Sequence, residues 1–175
     1  MKAQFCVSAI FIFTSITMSG QQNLSVGDKA PAFKLKNQDG ELISLSDLKE
    51  KPVVLYFYPK DDTPGCTKEA CNFRDEFPKF GKMKAEIIGI SADSVESHKK
   101  FAEKYKLPFN LLSDEKKEVI EKYGVWQQKS MYGKKYMGIV RTTFIIDSSG
   151  KIRKIFPKVK VDEHNKEVIE ALKEL

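Results

Sequence analysis

Two cysteines five positions apart, Cys66 and Cys71, are the residues of this sequence best suited to chemistry. Cys66 follows the loop Thr63-Pro64-Gly65, and the apolar spacing after it predicts a helix that starts at or just before this cysteine. The free N–H groups and the positive dipole end at a helix N-terminus stabilise a thiolate. Because the thiolate is the nucleophilic form of cysteine, Cys66 is the predicted nucleophile.

Cys71 is close enough in sequence to react with an oxidised Cys66. A thiolate that attacks a peroxide O–O bond becomes a sulfenic acid, which condenses with a nearby thiol to a disulfide before further oxidation. In an intact helix five residues rise about 7.5 Å and turn by about 140°, whereas a disulfide joins Cα atoms roughly 4.4–6.8 Å apart. The first turns of the helix must therefore unwind before this pair can close.

Less reactive interpretations of the cysteines stay open from the residues alone. Free cysteine is commonly an inert core residue, which fits Cys71 better than Cys66 at its exposed loop-to-helix junction. A zinc site is disfavoured, because His98 and His164 are not at ligand spacing from the cysteines or from each other. We expect His98 on the inner face of the helix at 94–106 and His164 near the start of the last helix.

The elements on either side of this loop must position Cys66. The continuous apolar and aromatic run Val-Val-Leu-Tyr-Phe-Tyr at 53–58 predicts a strand buried on both faces of a parallel sheet, and Pro59 ends it. The loop 60–65 then leads into the helix, whose inner face carries Ala70, Phe73 and Phe77.

Strands and helices alternate along the rest of the chain. A hairpin with a turn at Asp39-Gly40 opens the domain, and the turn at 148–150 joins two antiparallel strands. The other predicted elements are a short helix at 46–48, strands at 86–91, 109–112, 141–147 and 151–156, and helices at 94–106, 115–122 and the C-terminus. The sequence predicts an α/β fold with a mixed central sheet, helices on both faces and an N-terminal β-hairpin.

The sequence around Cys66 resembles a known family. Pro59-x-x-x-Thr63-x-x-Cys66 matches the active-site motif of the peroxiredoxins, and the run from Tyr58 to Cys71 is similar to the bacterioferritin comigratory protein, or peroxiredoxin Q, branch. The similarity continues through Tyr123-Gly-Val-Trp126, the segment 129–138 and Arg141-Thr-Thr-Phe. It covers nearly all of residues 24–175, which we treat as one domain.

The resemblance implies a thioredoxin-like fold and a specific set of roles. The protein is expected to reduce hydrogen peroxide and organic hydroperoxides, with thioredoxin or a similar dithiol protein as reductant and with no metal, flavin or other cofactor. Cys66 would be the peroxidatic and Cys71 the resolving cysteine, so an intramolecular disulfide and a monomer are expected. Thr63 would hydrogen-bond the thiolate and the peroxide, Pro59 would shield the site, and Arg141 would complete it.

The first twenty residues differ in composition from the rest. A single charge at Lys2 precedes the apolar run 5–13, which fades to small residues at Ser19 and Gly20, the layout of a signal peptide. The run is too short for a membrane anchor, so export from the cytoplasm is expected if it is a true signal, and the reductant there is open. The alternative is an overextended start, with the domain beginning near Leu24 and the protein in the cytoplasm. The net charge of +6 comes from 30 basic residues interleaved with 24 acidic ones, which predicts a solvated surface and no nucleic-acid binding.

Two other functions compete with peroxide reduction. A protein thiol–disulfide oxidoreductase of this fold usually carries Cys-x-x-Cys, whereas four residues, 67–70, separate the cysteines here. A non-catalytic redox sensor or holdase would use the same two cysteines as a switch. Peroxide turnover with a dithiol reductant separates the enzyme from the sensor, and insulin reduction detects the oxidoreductase.

Overall fold

The computed structural model describes residues 24–131 and 133–175 of the chain. The predicted signal peptide at 1–20 lies outside these residues. The strands are β1 (Lys34–Asn37), β2 (Leu42–Ser44), β3 (Val53–Phe57), β4 (Glu86–Ser91), β5 (Asn110–Ser113), β6 (Trp126–Met131), β7 (Lys134–Ile139), β8 (Thr142–Ile146) and β9 (Ile152–Pro157). The helices are α1 (Pro64–Asp75), α2 (Phe77–Lys82), α3 (Val95–Tyr105), α4 (Glu118–Lys122) and α5 (His164–Lys173), with a 3-10 turn at Leu45–Leu48.

A mixed sheet forms the centre of the molecule. Within the described residues it has seven strands in the order β2-β1-β5-β4-β3-β8-β9. Strands β3, β4 and β5 are parallel, whereas β8 and β9 on one side and β1 and β2 on the other are antiparallel to their neighbours. The predicted opening hairpin and the predicted pair of late strands are both confirmed.

Helices cover both faces of this sheet, as predicted. Alternate residues of β3 enter two different apolar clusters, because successive side chains of a strand point to opposite faces. Val54, Tyr56 and Tyr58 pack with α1, α2, α3 and α5, whereas Val53, Leu55 and Phe57 pack with α4 and the 3-10 turn. The continuous apolar run of this strand is thus explained by burial on both sides.

The hairpin β6–β7 is the main element that the sequence did not predict. Its strands pair antiparallel from Trp126 with Ile139 to Met131 with Lys134, apart from the central sheet. Tyr136 and Met137 on β7 are exposed. Four polar residues follow one another in β6, at 127–130, and β7 begins with two lysines, so the alternation of polar and apolar residues typical of a half-buried strand is absent.

One helix boundary differs from expectation. Helix α4 begins at Glu118, three residues later than predicted, because Lys117 before it has a left-handed φ of 61°. His98 is fully buried on the inner face of α3, as predicted. None of the helices in the described residues is long and apolar enough to span a membrane.

Candidate active site

Cys66 lies in the first turn of α1, as its sequence position predicted. Thr63 is the N-cap residue with extended backbone angles, φ −96° and ψ 150°, and Pro64 is the first helical residue, a position where its missing N–H costs nothing. The Cys66 side chain is buried and belongs to the same apolar cluster as Tyr56 and Tyr58. The thiol is thereby fixed at the positive end of the helix dipole.

Arg141 supplies a cation to this thiol. It directly precedes β8, and the pairing of Phe57 with Thr142 brings the start of β8 next to the end of β3, just before the loop to α1. The Arg141 Nη2 group donates to Cys66 Sγ at 3.2 Å. A guanidinium at this distance can stabilise negative charge that develops at the sulfur. The predicted association of Arg141 with Cys66, 75 residues apart in sequence, is present in the structure.

Glu69 is a site residue that the sequence did not reveal. Its carboxylate accepts a hydrogen bond from Arg141 Nη1, and its side chain is 1% exposed. Burial raises the pKa of Glu69 to about 7, although the Arg141 guanidinium opposes this rise. Burial alone would lower the pKa of Arg141. The negative charges of Glu69 and Cys66 together raise it by more, so the pKa of Arg141 lies above its ordinary value. Arg141 is therefore a permanent cation shared between the carboxyl group and the thiol.

Thr63 and Pro59 lie on the loop that leads into α1. Thr63 is partly buried, and its Oγ1 donates to the backbone carbonyl of Lys60 at 3.0 Å. This bond folds the loop back on itself and leaves the Thr63 oxygen available as an acceptor. Pro59 is exposed at the start of the loop. The role of Pro59 as a shield over the thiol stays a prediction.

Cys71 lies on the same helix as Cys66, and both are free thiols. Cys71 is partly buried, whereas Cys66 is buried. In a regular helix, residues five apart have Cα atoms about 8.6 Å from each other, which exceeds the reach of a disulfide. The reduced form therefore keeps the two sulfurs apart for as long as α1 is intact.

Neither histidine joins the cysteines. His98 Nδ1 lies 2.8 Å from Asp61 Oδ2, and His164 Nε2 lies 2.8 Å from Thr143 Oγ1. Across the described part of the chain, no three His, Cys, Asp or Glu side chains are arranged to hold a metal ion. The groups around Cys66 are an N-terminal helix turn and a guanidinium, both suited to stabilising negative charge on sulfur and on a departing oxygen.

A buried thiol at a helix N-terminus beside a guanidinium, on an α/β fold with helices on both faces of the sheet, is typical of thiol-based redox enzymes, and this protein belongs to that class. A family model described as the AhpC/TSA family matches residues 26–155. The putative peroxiredoxin Bcp of Coxiella burnetii is 56% identical over 150 residues, which are 86% of this chain and 99% of that protein. Peroxiredoxin Bcp of Bacillus subtilis is 51% identical over 152 residues, 87% of this chain and 97% of that protein.

Solved structures agree with these relatives. The peroxiredoxin Q of Xylella fastidiosa, in a cysteine-to-serine mutant, superposes with a TM-score of 0.83 at 34% identity, covering 87% of this chain and 98% of that one. The bacterioferritin comigratory protein of Xanthomonas campestris, studied for its alkyl peroxide reduction activity, superposes with a TM-score of 0.78 at 39% identity, covering 81% of this chain and 90% of that one. The chain belongs to the AhpC/TSA family, in its bacterioferritin comigratory protein or peroxiredoxin Q branch. It has the thioredoxin-like fold and is a thiol-dependent peroxidase.

Proposed function

We propose that the protein reduces hydrogen peroxide and organic hydroperoxides with Cys66 as the peroxidatic residue. The Cys66 thiolate attacks one peroxide oxygen, the O–O bond breaks, and the other oxygen takes a proton and leaves as water or an alcohol. Sulfur is oxidised to a sulfenic acid while the peroxide is reduced. The contact of Arg141 Nη2 with Cys66 Sγ at 3.2 Å is the observation that carries this proposal.

The surrounding groups have separate roles in that step. Arg141 holds the thiolate and stabilises charge on the departing oxygen, because its two nitrogens are fixed by Cys66 and Glu69. Thr63, at the N-cap position, accepts a hydrogen bond from the bound peroxide, because its own hydroxyl hydrogen is donated to the Lys60 carbonyl. Pro59 shields the reacting atoms from water. The alkyl peroxide reduction by the Xanthomonas campestris relative supports the inclusion of organic hydroperoxides.

Cys71 completes the oxidative half of the cycle. The first turns of α1 unwind, the Cys71 thiol attacks the Cys66 sulfenic acid, and a disulfide forms with release of one water. Both cysteines lie within the twelve residues Pro64–Asp75, so one local unfolding event frees both. A resolving cysteine in the same chain requires no partner subunit, which supports a monomer.

A dithiol protein, thioredoxin or a similar one, then returns the enzyme to its reduced state. One thiol of the reductant attacks the disulfide and its second thiol resolves the mixed disulfide, which transfers two electrons to the peroxidase. We further propose that residues 1–20 direct export, since their composition has the layout of a signal peptide. Cell fractionation and N-terminal sequencing of the mature protein test the export.

The intact mass of the protein after one equivalent of hydrogen peroxide tests the cysteine roles. We expect the wild type to lose two hydrogen atoms, Cys71→Ser to gain one or more oxygens at Cys66, and Cys66→Ser to stay unchanged. Oxidation of Cys66→Ser at the wild-type rate would contradict the proposed nucleophile. Insulin reduction in place of peroxide turnover would favour the oxidoreductase, and oxidation without turnover would favour the sensor.

A further inference from the structure

A buried polar cluster lies between the active-site loop and α3, outside the groups that touch sulfur. We name it the Asp61 cluster, and it consists of Tyr58, Asp61, Ser97 and His98. The side chains of Asp61 and His98 are 4% and 0% exposed, respectively. Asp61 belongs to the loop 59–63, which carries both Pro59 and Thr63. The cluster therefore touches the same loop that leads into Cys66.

The Asp61 carboxylate is the acceptor at the centre of the cluster. Tyr58 Oη donates to Asp61 Oδ1 at 2.7 Å. Ser97 Oγ donates to Asp61 Oδ2 at 2.7 Å, and His98 Nδ1 lies 2.8 Å from the same oxygen. A buried carboxylate that has no permanent cation beside it requires several hydrogen-bond donors, and Asp61 has three side-chain partners that can donate.

The surroundings of the His98 ring define its role. Its Nε2 atom is buried and has no hydrogen-bond partner among residues 24–131 and 133–175. A buried N–H without a partner is costly, so the ring places its donor hydrogen on Nδ1, where Asp61 accepts it. His98 then contributes one N–H donor to Asp61 and an otherwise apolar ring, and an asparagine amide can place a donor at nearly the same point.

The Asp61 backbone is held as firmly as its side chain. Its N–H donates to Asp93 Oδ2 at 2.9 Å, and Ser91 Oγ donates to the same oxygen at 2.6 Å. The loop is thus tied to the end of β4 and to the start of α3. The Lys60 carbonyl and the Asp61 N–H belong to the same peptide group. Because Asp93 holds this N–H and the Thr63 hydroxyl donates to this carbonyl, the position of Asp61 influences where the Thr63 side chain lies.

We infer that Asp61 and His98 are positioning residues for the peroxidase reaction, holding the loop 59–63 in the geometry that orients a peroxide at Cys66. The inference rests on the proposed function. Neither side chain hydrogen-bonds Cys66 Sγ, whose side-chain donor in the described part of the chain is Arg141. Misplacing a reactant by about 1 Å costs about 100-fold in rate, so release of the loop slows the reaction although the nucleophile is unchanged.

The test compares two reactions of Cys66 in each variant. One is the second-order rate with hydrogen peroxide, which requires an oriented O–O bond, and the other is alkylation by iodoacetamide, which reports thiolate reactivity. For Asp61→Ala and His98→Leu we expect the peroxide rate to fall about 10- to 100-fold while the alkylation rate stays within about twofold of wild type. His98→Asn restores the Nδ1 donor and brings the peroxide rate to within about threefold of wild type.

Further variants keep the test decisive. Lys104→Met removes an exposed ion pair between α3 and Asp62 of the same loop, and it serves as the control with both rates unchanged. Ser97→Ala removes only one of the three donors to Asp61, so it serves as the milder variant if Asp61→Ala does not fold. We expect the peroxide rate of Ser97→Ala to fall several-fold. Thermal unfolding confirms that each variant is folded at the assay temperature.

Specific outcomes would overturn the inference. Equal loss of both rates, or equal rates for His98→Leu and His98→Asn, would mean that the cluster only stabilises the fold. Unchanged peroxide rates in Asp61→Ala and Ser97→Ala would have the same meaning. Failure of Cys66 in the wild type to react with peroxide would contradict the proposed function itself. The wild-type measurement therefore distinguishes a failure of the proposed function from a failure of the positioning role.

Discussion

The buried Glu69 carboxyl group makes the stability of the protein depend on pH in an unusual direction. Burial raises the pKa of Glu69 from its ordinary 4.5 to about 7 despite the adjacent Arg141. The difference is about 2.5 pH units, and each unit corresponds to about 1.4 kcal/mol. Ionised Glu69 therefore lowers the free energy of unfolding by about 3 kcal/mol relative to its protonated form.

The sign follows from proton binding. Between pH 4.5 and 7 the folded protein binds a proton at Glu69 that the unfolded chain has released. The stabilisation is complete below pH 4.5 and is lost as the pH rises through 7. Glu69→Gln keeps the shape of the side chain without the charge, so we expect this variant to gain about 3 kcal/mol over wild type between pH 4.5 and pH 8.5.

Urea unfolding of the reduced proteins at half-unit steps from pH 4.5 to 8.5, followed by far-UV circular dichroism, measures this difference. Glu103→Gln, at an exposed position on α3, is the matched control and should follow the wild-type curve. If Glu69→Gln loses stability relative to wild type as the pH rises, the ion pair with Arg141 outweighs burial, and the reasoning is refuted.

Three further substitutions test other contacts. Arg141→Lys loses the planar donor pair and should lower the second-order rate with hydrogen peroxide by about 10²- to 10³-fold, measured by stopped flow, with exposed Arg153→Lys as control. Gly89→Ala places a Cβ 2.7 Å from the Tyr56 ring, so urea unfolding should show a loss of about 1–3 kcal/mol. Lys68→Gly weakens α1 by about 1 kcal/mol and should speed disulfide formation after oxidation about fivefold, measured by quenched mass spectrometry, whereas Lys99→Gly on α3 should not.

Each of these expectations can fail in a recognisable way. A wild-type peroxide rate in Arg141→Lys would mean that a positive charge beside the thiolate is sufficient for the reaction and that the second guanidinium nitrogen is not needed. Wild-type stability in Gly89→Ala would mean that Tyr56 moves aside freely. An unchanged or slower disulfide step in Lys68→Gly would mean that unwinding of α1 does not limit that step.

The strand before the active site and the helix after it could be predicted from the sequence because local patterns determine them. The apolar run 53–58 has few alternatives to a buried strand, and a Pro-Gly pair after Thr63 marks the start of a helix. The Asp39-Gly40 turn likewise specifies the opening hairpin. These signals lie within a few residues of the elements that they predict.

The contacts that complete the site could not be predicted in this way. Glu69 looks like any acidic residue of a solvated helix, and only Arg141, 72 residues away, explains its burial. His98 has the same difficulty, because its partner Asp61 is 37 residues away. The β6–β7 hairpin could not be predicted because its strands lack a regular alternation of polar and apolar side chains, and backbone pairing alone shows that they are strands.

The aromatic packing of Phe73 limits how far α1 can unwind and how it re-forms. Phe73 is fully buried, and its ring lies 5.2 Å from that of Tyr56 and 5.9 Å from that of Phe80, measured between centroids. These contacts hold Phe73 and the residues after it in place during the unwinding of the preceding turns that we propose for the oxidised enzyme. Starting a helix is the slow, unfavourable step, whereas adding residues to an existing turn takes nanoseconds. In the proposed cycle the residues from Phe73 onward therefore serve as a helix nucleus, and α1 re-forms after each reduction by elongation towards its N-terminus.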